Sequence, residues 1–250
     1  MPKTTQLNGS GPNTLRQETS HVHQVFLLEE YHELLVPDLG ADKVHRFKKD
    51  DDGLWKLHGH AQCPAGSGPR HVAFYGKQDI SFLTSRAIIS WRSSDGFLYT
   101  LLELANSLAK FRFPPLPNEP LFMTATSTLS QPPASPHDML AAEILIPTPN
   151  ATFPTPYIYI SNRNDPSPGG DTIAIFSIAN PDTLDLVAEV RTGLKNVRGM
   201  AFGGPDDKWL VAGGVTEGGV KIFERVDGGK GLKVIAANEG VRAPAGFLWV

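Results

Sequence analysis

The chain has 250 residues, which is enough to bury a large core, and all-β propellers and barrels of this size fold without division into domains. Its 24 glycines and 21 prolines, with 20% charged residues, favour short strands joined by turns and argue against a helical bundle. The net charge of −3 gives no general reason to expect nucleic acid, and a single cysteine, Cys63, excludes an intrachain disulfide.

The expected location follows from the same composition. The single cysteine favours a reducing compartment. The sequence has no window of about 18 apolar residues, so no membrane-spanning helix is expected. The first 20 residues lack the apolar stretch of a secretory signal. We therefore expect a cytoplasmic protein with no membrane partner and one domain over residues 1–250.

After a polar lead-in over residues 1–20, which predicts a loose segment, a unit of strand, polar loop and strand recurs four times. The units begin at Leu34–Val36, Leu98–Leu101, Ile158–Ile160 and Trp209–Val211. In each unit the second strand ends with an aliphatic residue and a phenylalanine three positions later. These phenylalanines, spaced by 64, 65 and 47 residues, are Phe47, Phe111, Phe176 and Phe223.

Further strands flank the units. Most units are followed by another apolar stretch, as at Leu54–Leu57, Leu184–Val187 and Leu232–Ile235. Each is preceded by a strand that opens with a basic residue, at His23–Phe26, Arg70–Phe74, His137–Leu140 and Arg198–Phe202. Four strands per repeat predict an all-β propeller with about four blades. The alternative is a β-sandwich with coincidental spacing.

Two of the periods are long. The proline-rich stretch between Phe113 and Pro156 predicts a long surface loop. The other long period, from Phe47 to Phe111, contains 17 extra residues at 76–92. Without them the period would be 47 residues, which is the spacing of the last repeat. We therefore predict an insertion within a hairpin at 76–92, or else retained intron sequence.

Aligning the repeats places charged side chains at equivalent positions. The residues at the start of the first strand are His23, Arg70, His137 and Arg198. The residues after the second strand are Asp38 and Glu103, with Arg163 in the corresponding loop of the third repeat. Because first strands line the central channel of a propeller, we expect these groups to converge at one end. Such a ring can bind an anionic substrate and transfer protons.

Structural explanations compete with this one. A single histidine or arginine at a strand start is often a solvated edge group, and Asp38 could instead close its own loop as an Asx turn. His21, His23 and His71 suggest a metal site, but no cysteine or carboxylate shares their spacing. Phosphate-loop, dinucleotide-binding and nucleophile-elbow motifs are absent from the sequence.

Six stretches of the sequence resemble one known family. They are Gly11–Asn13, Ser20–Val25, Val36–Val44, Gly68–Val72, Leu102–Leu108 and Tyr159–Asn164. The family is that of the seven-bladed propeller lactonases, which includes the fungal carboxy-cis,cis-muconate lactonizing enzyme and the bacterial propeller type of 6-phosphogluconolactonase. The resemblance implies an N-terminally truncated propeller with about four of the seven blades.

The resemblance also implies an activity, lactonase or muconate-type cycloisomerase, on a small anionic lactone or its carboxylate product. Its catalytic residues would be His23 (or His21), Arg70, Glu103 and Arg163. The arginines would hold carboxylate or phosphate and polarise the lactone carbonyl, while His23 and Glu103 would transfer protons. The expected substrate-binding residues are His21, Asp38, His71, His137 and Arg198. No metal or other cofactor is implied, and the alternative is a non-catalytic propeller remnant or binding module.

Overall fold

Four separate sheets, each of four antiparallel strands, make up most of the part of the chain that the structure describes. The computed structural model describes residues 5–76, 96–133 and 139–249. Within these ranges the helical structure consists of three short 3-10 turns, and no helix is long and apolar enough to cross a membrane. The all-β prediction is confirmed.

Strand order in each sheet follows the chain. The first sheet contains β1 Phe26–Leu28, β2 Glu33–Asp38, β3 Lys43–Lys49 and β4 Trp55–Gln62. The second contains β5 Pro69–Tyr75, β6 Gly96–Leu102, β7 Ser107–Phe113 and β8 Leu121–Ser127. The third contains β9 Leu140–Leu145, β10 Tyr157–Arg163, β11 Thr172–Ser177 and β12 Asp185–Arg191. The fourth contains β13 Lys195–Gly203, β14 Trp209–Glu217, β15 Gly219–Val226 and β16 Gly231–Asn238.

The hydrophobic core lies between successive sheets. One cluster joins Leu35 of the first sheet to Leu98 of the second, and the next joins Leu101 to Ile160 of the third. A third cluster joins the third sheet to Leu210 of the fourth. The middle strands are covered on both faces, which explains their continuous apolar runs. Face-to-face packing of four successive sheets is the arrangement of propeller blades, and the sandwich alternative is wrong.

The four phenylalanines that marked the repeats all lie in the third strand of a sheet. Phe47, Phe111, Phe176 and Phe223 are all buried, and the last three belong to the three apolar clusters between successive sheets. The repeat therefore reflects one packing position used four times.

Two predicted segments differ from the structure or lie outside it. The lead-in is not loose throughout, because Gln17 is fully buried and residues 11–17 form a hydrogen-bonded turn. Strands β5 and β6 pair as far as Tyr75 and Phe97. Apart from Gly76, the predicted insertion at 76–92 lies outside the described residues and stays a prediction.

A buried ion pair links the first two sheets. Arg46 of β3 donates to both carboxylate oxygens of Glu33 at 2.8 and 2.9 Å, and both side chains are almost completely buried. The same guanidinium donates to the carbonyl oxygens of Asn118 and Pro114 at 2.8 Å, and lies 4.3 Å from the centre of the Phe113 ring. This network fixes the β7–β8 loop of the second sheet against the first.

Candidate active site

The carboxylate of Glu103 binds three arginine side chains. Its Oε1 lies 2.8 Å from Arg16 Nη2 and 2.8 Å from Arg163 Nη2, and its Oε2 lies 2.6 Å from Arg70 Nη1. The Glu103, Arg70 and Arg163 side chains are 1%, 4% and 9% exposed, whereas Arg16 is 44% exposed. We call these four residues the Glu103 cluster, in which three positive charges surround one negative charge.

Strand register explains why residues from different sheets meet here. Glu103 and Arg163 each follow the residue that closes the hairpin between the second and third strands of their sheets, so they hold equivalent positions. Arg70 occupies a β-bulge at the start of β5, and its Nε donates to the carbonyl oxygen of Ala142 in β9 at 2.7 Å. A bulge re-aims a side chain from the regular alternation. The neighbouring sheets therefore direct three charged groups toward one point.

The equivalence predicted for the strand starts holds for three residues. Arg198 occupies in β13 the same bulge that Arg70 occupies in β5. His23 precedes β1 but lies at the same level, and its N–H donates to the carbonyl oxygen of Pro37 at 3.1 Å. Burial lowers the pKa of both Arg70 and Arg163, and the positive charge of Arg198 contributes to this lowering, so Arg198 is within electrostatic range of the Glu103 cluster.

The equivalence predicted for His137 is wrong. In β9 the bulge residue is Ala142, and the strand begins at Leu140. The alignment failed because no charged residue marks this bulge in the sequence. His137 lies outside the described residues, and a substrate-binding role for it stays a prediction.

Asp38 does not hold the position of Glu103. The register of β2 aligns Asp38 with Leu102, the residue before Glu103. The Asp38 side chain therefore points in a different direction from that of Glu103. It accepts hydrogen bonds from Ser20 Oγ at 2.6 Å, from His21 N at 2.7 Å and from Gly40 N at 3.1 Å. The hydrogen bond from Gly40 N makes Asp38 part of an Asx turn, which was the structural alternative for this residue.

The contacts of Asp38 also fix its ionisation. Burial by itself would raise the pKa of this carboxyl, but hydrogen bonds from His45, Ser20 and the His21 amide lower the pKa to about 2. The side chain is fully buried and 3.2 Å from His45 Nε2. In this structure Asp38 therefore holds the first loop together, outside the Glu103 cluster.

His23 contacts the cluster through Arg70. Its Nε2 lies 2.5 Å from Arg70 Nη1, and since a guanidinium can only donate, Nε2 must be the acceptor and Nδ1 must carry the hydrogen. Nδ1 is buried without a hydrogen-bond partner among the described residues. Burial and the Arg70 charge lower the pKa of His23 to about 4. His23 is therefore neutral at pH 7.

This shift predicts a pH dependence of stability. An unfolded histidine has a pKa of about 6.5, so protons bind preferentially to the unfolded chain as the pH falls from that value toward 4. The free energy of unfolding should therefore fall across this window, and less so in His23→Gln. Ring titration by NMR should give His23 a pKa well below 6. A His23 pKa near 6.5, or equal acid sensitivity of the two proteins, would contradict this.

A second histidine lies next to His23. The His71 ring is 5.3 Å from the His23 ring, edge to face, and His71 Nδ1 lies 2.7 Å from Glu143 Oε1. Both partners are mostly buried, at 14% and 18% exposure. His21 instead contacts Glu18 at 3.2 Å and is 40% exposed, outside this group.

Opposing effects set the charges of the cluster. Burial raises the pKa of Glu103, but Arg70 and Arg163 more than offset this and hold its pKa below the ordinary value. Burial and the neighbouring arginines lower the pKa of Arg163 to about 10, against the opposite effect of Glu103. At neutral pH the cluster therefore carries an excess of positive charge. Such a site can bind a small anion and stabilise negative charge that develops on a substrate.

Sequence reasoning missed two residues of this region. Arg16 lies in the polar lead-in, which is not part of the four repeats. The only sequence signal near it is Gly11–Asn13, one of the six stretches that resemble the family. Glu143 follows the bulge of β9, which the alignment misplaced. Within the described ranges, no group of three or more His, Cys, Asp or Glu side chains is arranged to hold a metal ion.

Comparison with known proteins identifies the family. The family model described as "Lactonase, 7-bladed beta-propeller" matches residues 2–249. The chain belongs to this family. The resemblance inferred from the six sequence stretches is therefore confirmed.

Individual relatives of this lactonase-family chain agree. The 6-phosphogluconolactonase of Bacillus subtilis is 28% identical over 218 residues, covering 87% of this chain and 53% of that protein. The chain spans about half the length of the curated relatives that it matches.

Two solved structures show the same fold. A protein from Lactobacillus plantarum has a TM-score of 0.76 at 21% identity, covering 98% of this chain and 62% of that one. The periplasmic gluconolactonase of Pseudomonas aeruginosa has a TM-score of 0.70 at 21% identity, covering 95% and 59%.

Proposed function

We propose that this chain is a lactonase that hydrolyses a small anionic lactone of the 6-phosphogluconolactone type. The observation that carries the proposal is the Glu103 cluster, where two buried guanidinium groups lie within 2.8 Å of one buried carboxylate. Membership of the lactonase family supports the reaction class, and the name of the Bacillus subtilis relative supports the substrate class.

Arg70 and Arg163 would act on the lactone carbonyl. Attack by water turns the carbonyl oxygen into an oxyanion, and donors already fixed in a water-poor site stabilise that charge strongly. Glu103 stays ionised, because the arginines lower its pKa, and holds both guanidinium groups in place. Its role is therefore electrostatic, in place of the proton transfer that the resemblance implied.

Proton transfer is assigned to the second histidine. The Nε2 lone pair of His23 is occupied by Arg70. A carboxylate only accepts, so His71 donates its Nδ1 hydrogen to Glu143 and keeps the lone pair on Nε2, which has no partner among the described residues. A histidine oriented by a carboxylate is suited to general base catalysis. Glu143 would act as a positioning residue.

The reaction balances with these groups. His71 takes a proton from water while the water oxygen bonds to the carbonyl carbon. The bond between that carbon and the ring oxygen then breaks, and the ring oxygen takes the proton from His71 to become a hydroxyl group. The open-chain acid leaves as its carboxylate and releases one proton to solvent.

The purified chain should hydrolyse 6-phosphogluconolactone faster than the spontaneous reaction, measured by proton release in a pH-stat. Carboxymuconolactone, tested in parallel, separates the two lactone classes implied by the sequence. Cooperative thermal unfolding of the same sample shows that the protein is folded. A folded chain that accelerates neither reaction would overturn the proposal and favour a binding module.

A further inference from the structure

Arg16 is held at the Glu103 cluster by a defined turn. The N–H groups of Arg16 and Gln17 donate to the carbonyl oxygen of Asn13 at 3.0 and 2.7 Å, and Gly11 N donates to Gln17 O at 3.0 Å. Gln17 is fully buried although its side chain is polar. The turn over residues 11–17 is therefore part of the folded structure and fixes where Arg16 projects.

Buried hydrogen bonds connect this turn to the strand that carries Arg70. Gln17 Nε2 donates to Leu39 O and to Asp42 Oδ1, each at 2.8 Å. Asp42 in turn accepts from Gly66 N at 2.7 Å and from Gly68 N at 2.8 Å. Since β5 begins directly after Gly68, the positions of Arg16 and of the bulge in β5 are set by the same network.

A cavity of about 660 Å³ opens beside Arg16. It is lined by residues 12–16 of the turn, by Gly66 before β5 and by Leu140 at the start of β9. Among the described residues that line it, Arg16 is the charged one. The Arg16 side chain is 44% exposed and donates one N–H to Glu103. The rest of its guanidinium makes no side-chain hydrogen bond to the described residues. A guanidinium has five N–H donors, so donors remain for a ligand.

We propose that Arg16 and this cavity form the subsite for the terminal oxyanion of the substrate, the phosphate at the end remote from the lactone carbonyl. The inference rests on the proposed function. Arg70 and Arg163 are buried and serve the carbonyl, whereas Arg16 faces open space of a size usual for small-ligand sites. The N–H donors of Arg16 that Glu103 does not use can bind the phosphate oxygens, for which a guanidinium is well suited.

The test compares 6-phosphogluconolactone with unphosphorylated gluconolactone. Arg16→Gln should lower kcat/KM for the phosphorylated lactone about 10- to 100-fold, mainly through KM, because a charged hydrogen bond is lost. Its kcat/KM for gluconolactone should fall much less than that for the phosphorylated lactone, because gluconolactone has no phosphate for Arg16 to bind. Arg16→Lys, which keeps the charge without the fork, should fall between.

Arg191→Gln is the matched control. Arg191 is 49% exposed and pairs with Asp165, as Arg16 pairs with Glu103, but it lies at the end of the outermost strand β12. It should hydrolyse both lactones as the unmodified chain does. Equal losses on both lactones in Arg16→Gln, or no loss on the phosphorylated one, would overturn the subsite.

Binding separates this inference from the proposed function. Calorimetry should show 6-phosphogluconate binding tighter than gluconate, with the preference lost in Arg16→Gln. If the chain hydrolyses neither lactone but keeps this Arg16-dependent preference, the subsite stands and the proposed activity fails. If the chain hydrolyses lactones but binds both acids equally, the activity stands and the subsite fails.

Discussion

Glu103→Gln is expected to lower the free energy of unfolding by about 3–5 kcal/mol, because it leaves buried arginines without their counter-charge. Arg70 and Arg163 are both almost completely buried around that carboxylate, and Arg16 adds a third like charge. The uncharged amide offers at most one acceptor atom. Urea unfolding followed by circular dichroism measures the change.

Inorganic phosphate provides a second test of the same variant. An anion bound beside the arginines supplies negative charge in place of the lost carboxylate, so phosphate should restore part of the stability of Glu103→Gln. Glu217→Gln is the control, because Glu217 is exposed, and should change stability by less than about 0.5 kcal/mol. A Glu103→Gln protein as stable as the unmodified chain would show that the cluster is not electrostatically coupled.

Arg46→Met should destabilise the chain by a similar amount, about 3–5 kcal/mol. The substitution leaves the buried carboxylate of Glu33 unpaired and the carbonyl groups of Asn118 and Pro114 without their donor. The double variant Arg46→Met with Glu33→Leu removes both charges and should recover the part of the loss that comes from the unpaired carboxylate, while the two carbonyl groups and Leu116 N stay without their partners. Guanidinium chloride unfolding of the four proteins gives the coupling energy of the pair.

An exposed ion pair supplies the control for this cycle. Lys208 Nζ lies 2.7 Å from Glu224 Oε1, but the two side chains are 45% and 29% exposed. Lys208→Met should therefore cost less than about 1 kcal/mol. If Arg46→Met costs no more than Lys208→Met, the buried network does not fix the first two sheets together.

Much of the fold could be predicted because one packing position recurs. Phe47, Phe111, Phe176 and Phe223 occupy the same place in successive sheets. Their spacing in the sequence therefore indicates four repeated sheets. The repeat also predicts that Arg70 and Arg198 hold equivalent positions at the start of a first strand, and in the structure both occupy the bulge there.

Single-residue detail depends on register, which the repeat does not encode. Asp38 was aligned with Glu103 although it lies one residue earlier, and one residue moves a side chain to the opposite face of a strand. Arg16 and Glu143 were missed because they reach the site through a turn and a bulge held by tertiary contacts.

Hydrolysis of 6-phosphogluconolactone by the unmodified chain and by Arg70→Ala, measured side by side, tests the central claim most directly. Arg70 is the buried residue that links Glu103, His23 and β9. We predict that Arg70→Ala retains cooperative unfolding and lowers kcat about 100- to 1000-fold, the usual loss when one oxyanion donor is removed. An Arg70→Ala protein that hydrolyses the lactone as fast as the unmodified chain would contradict the account.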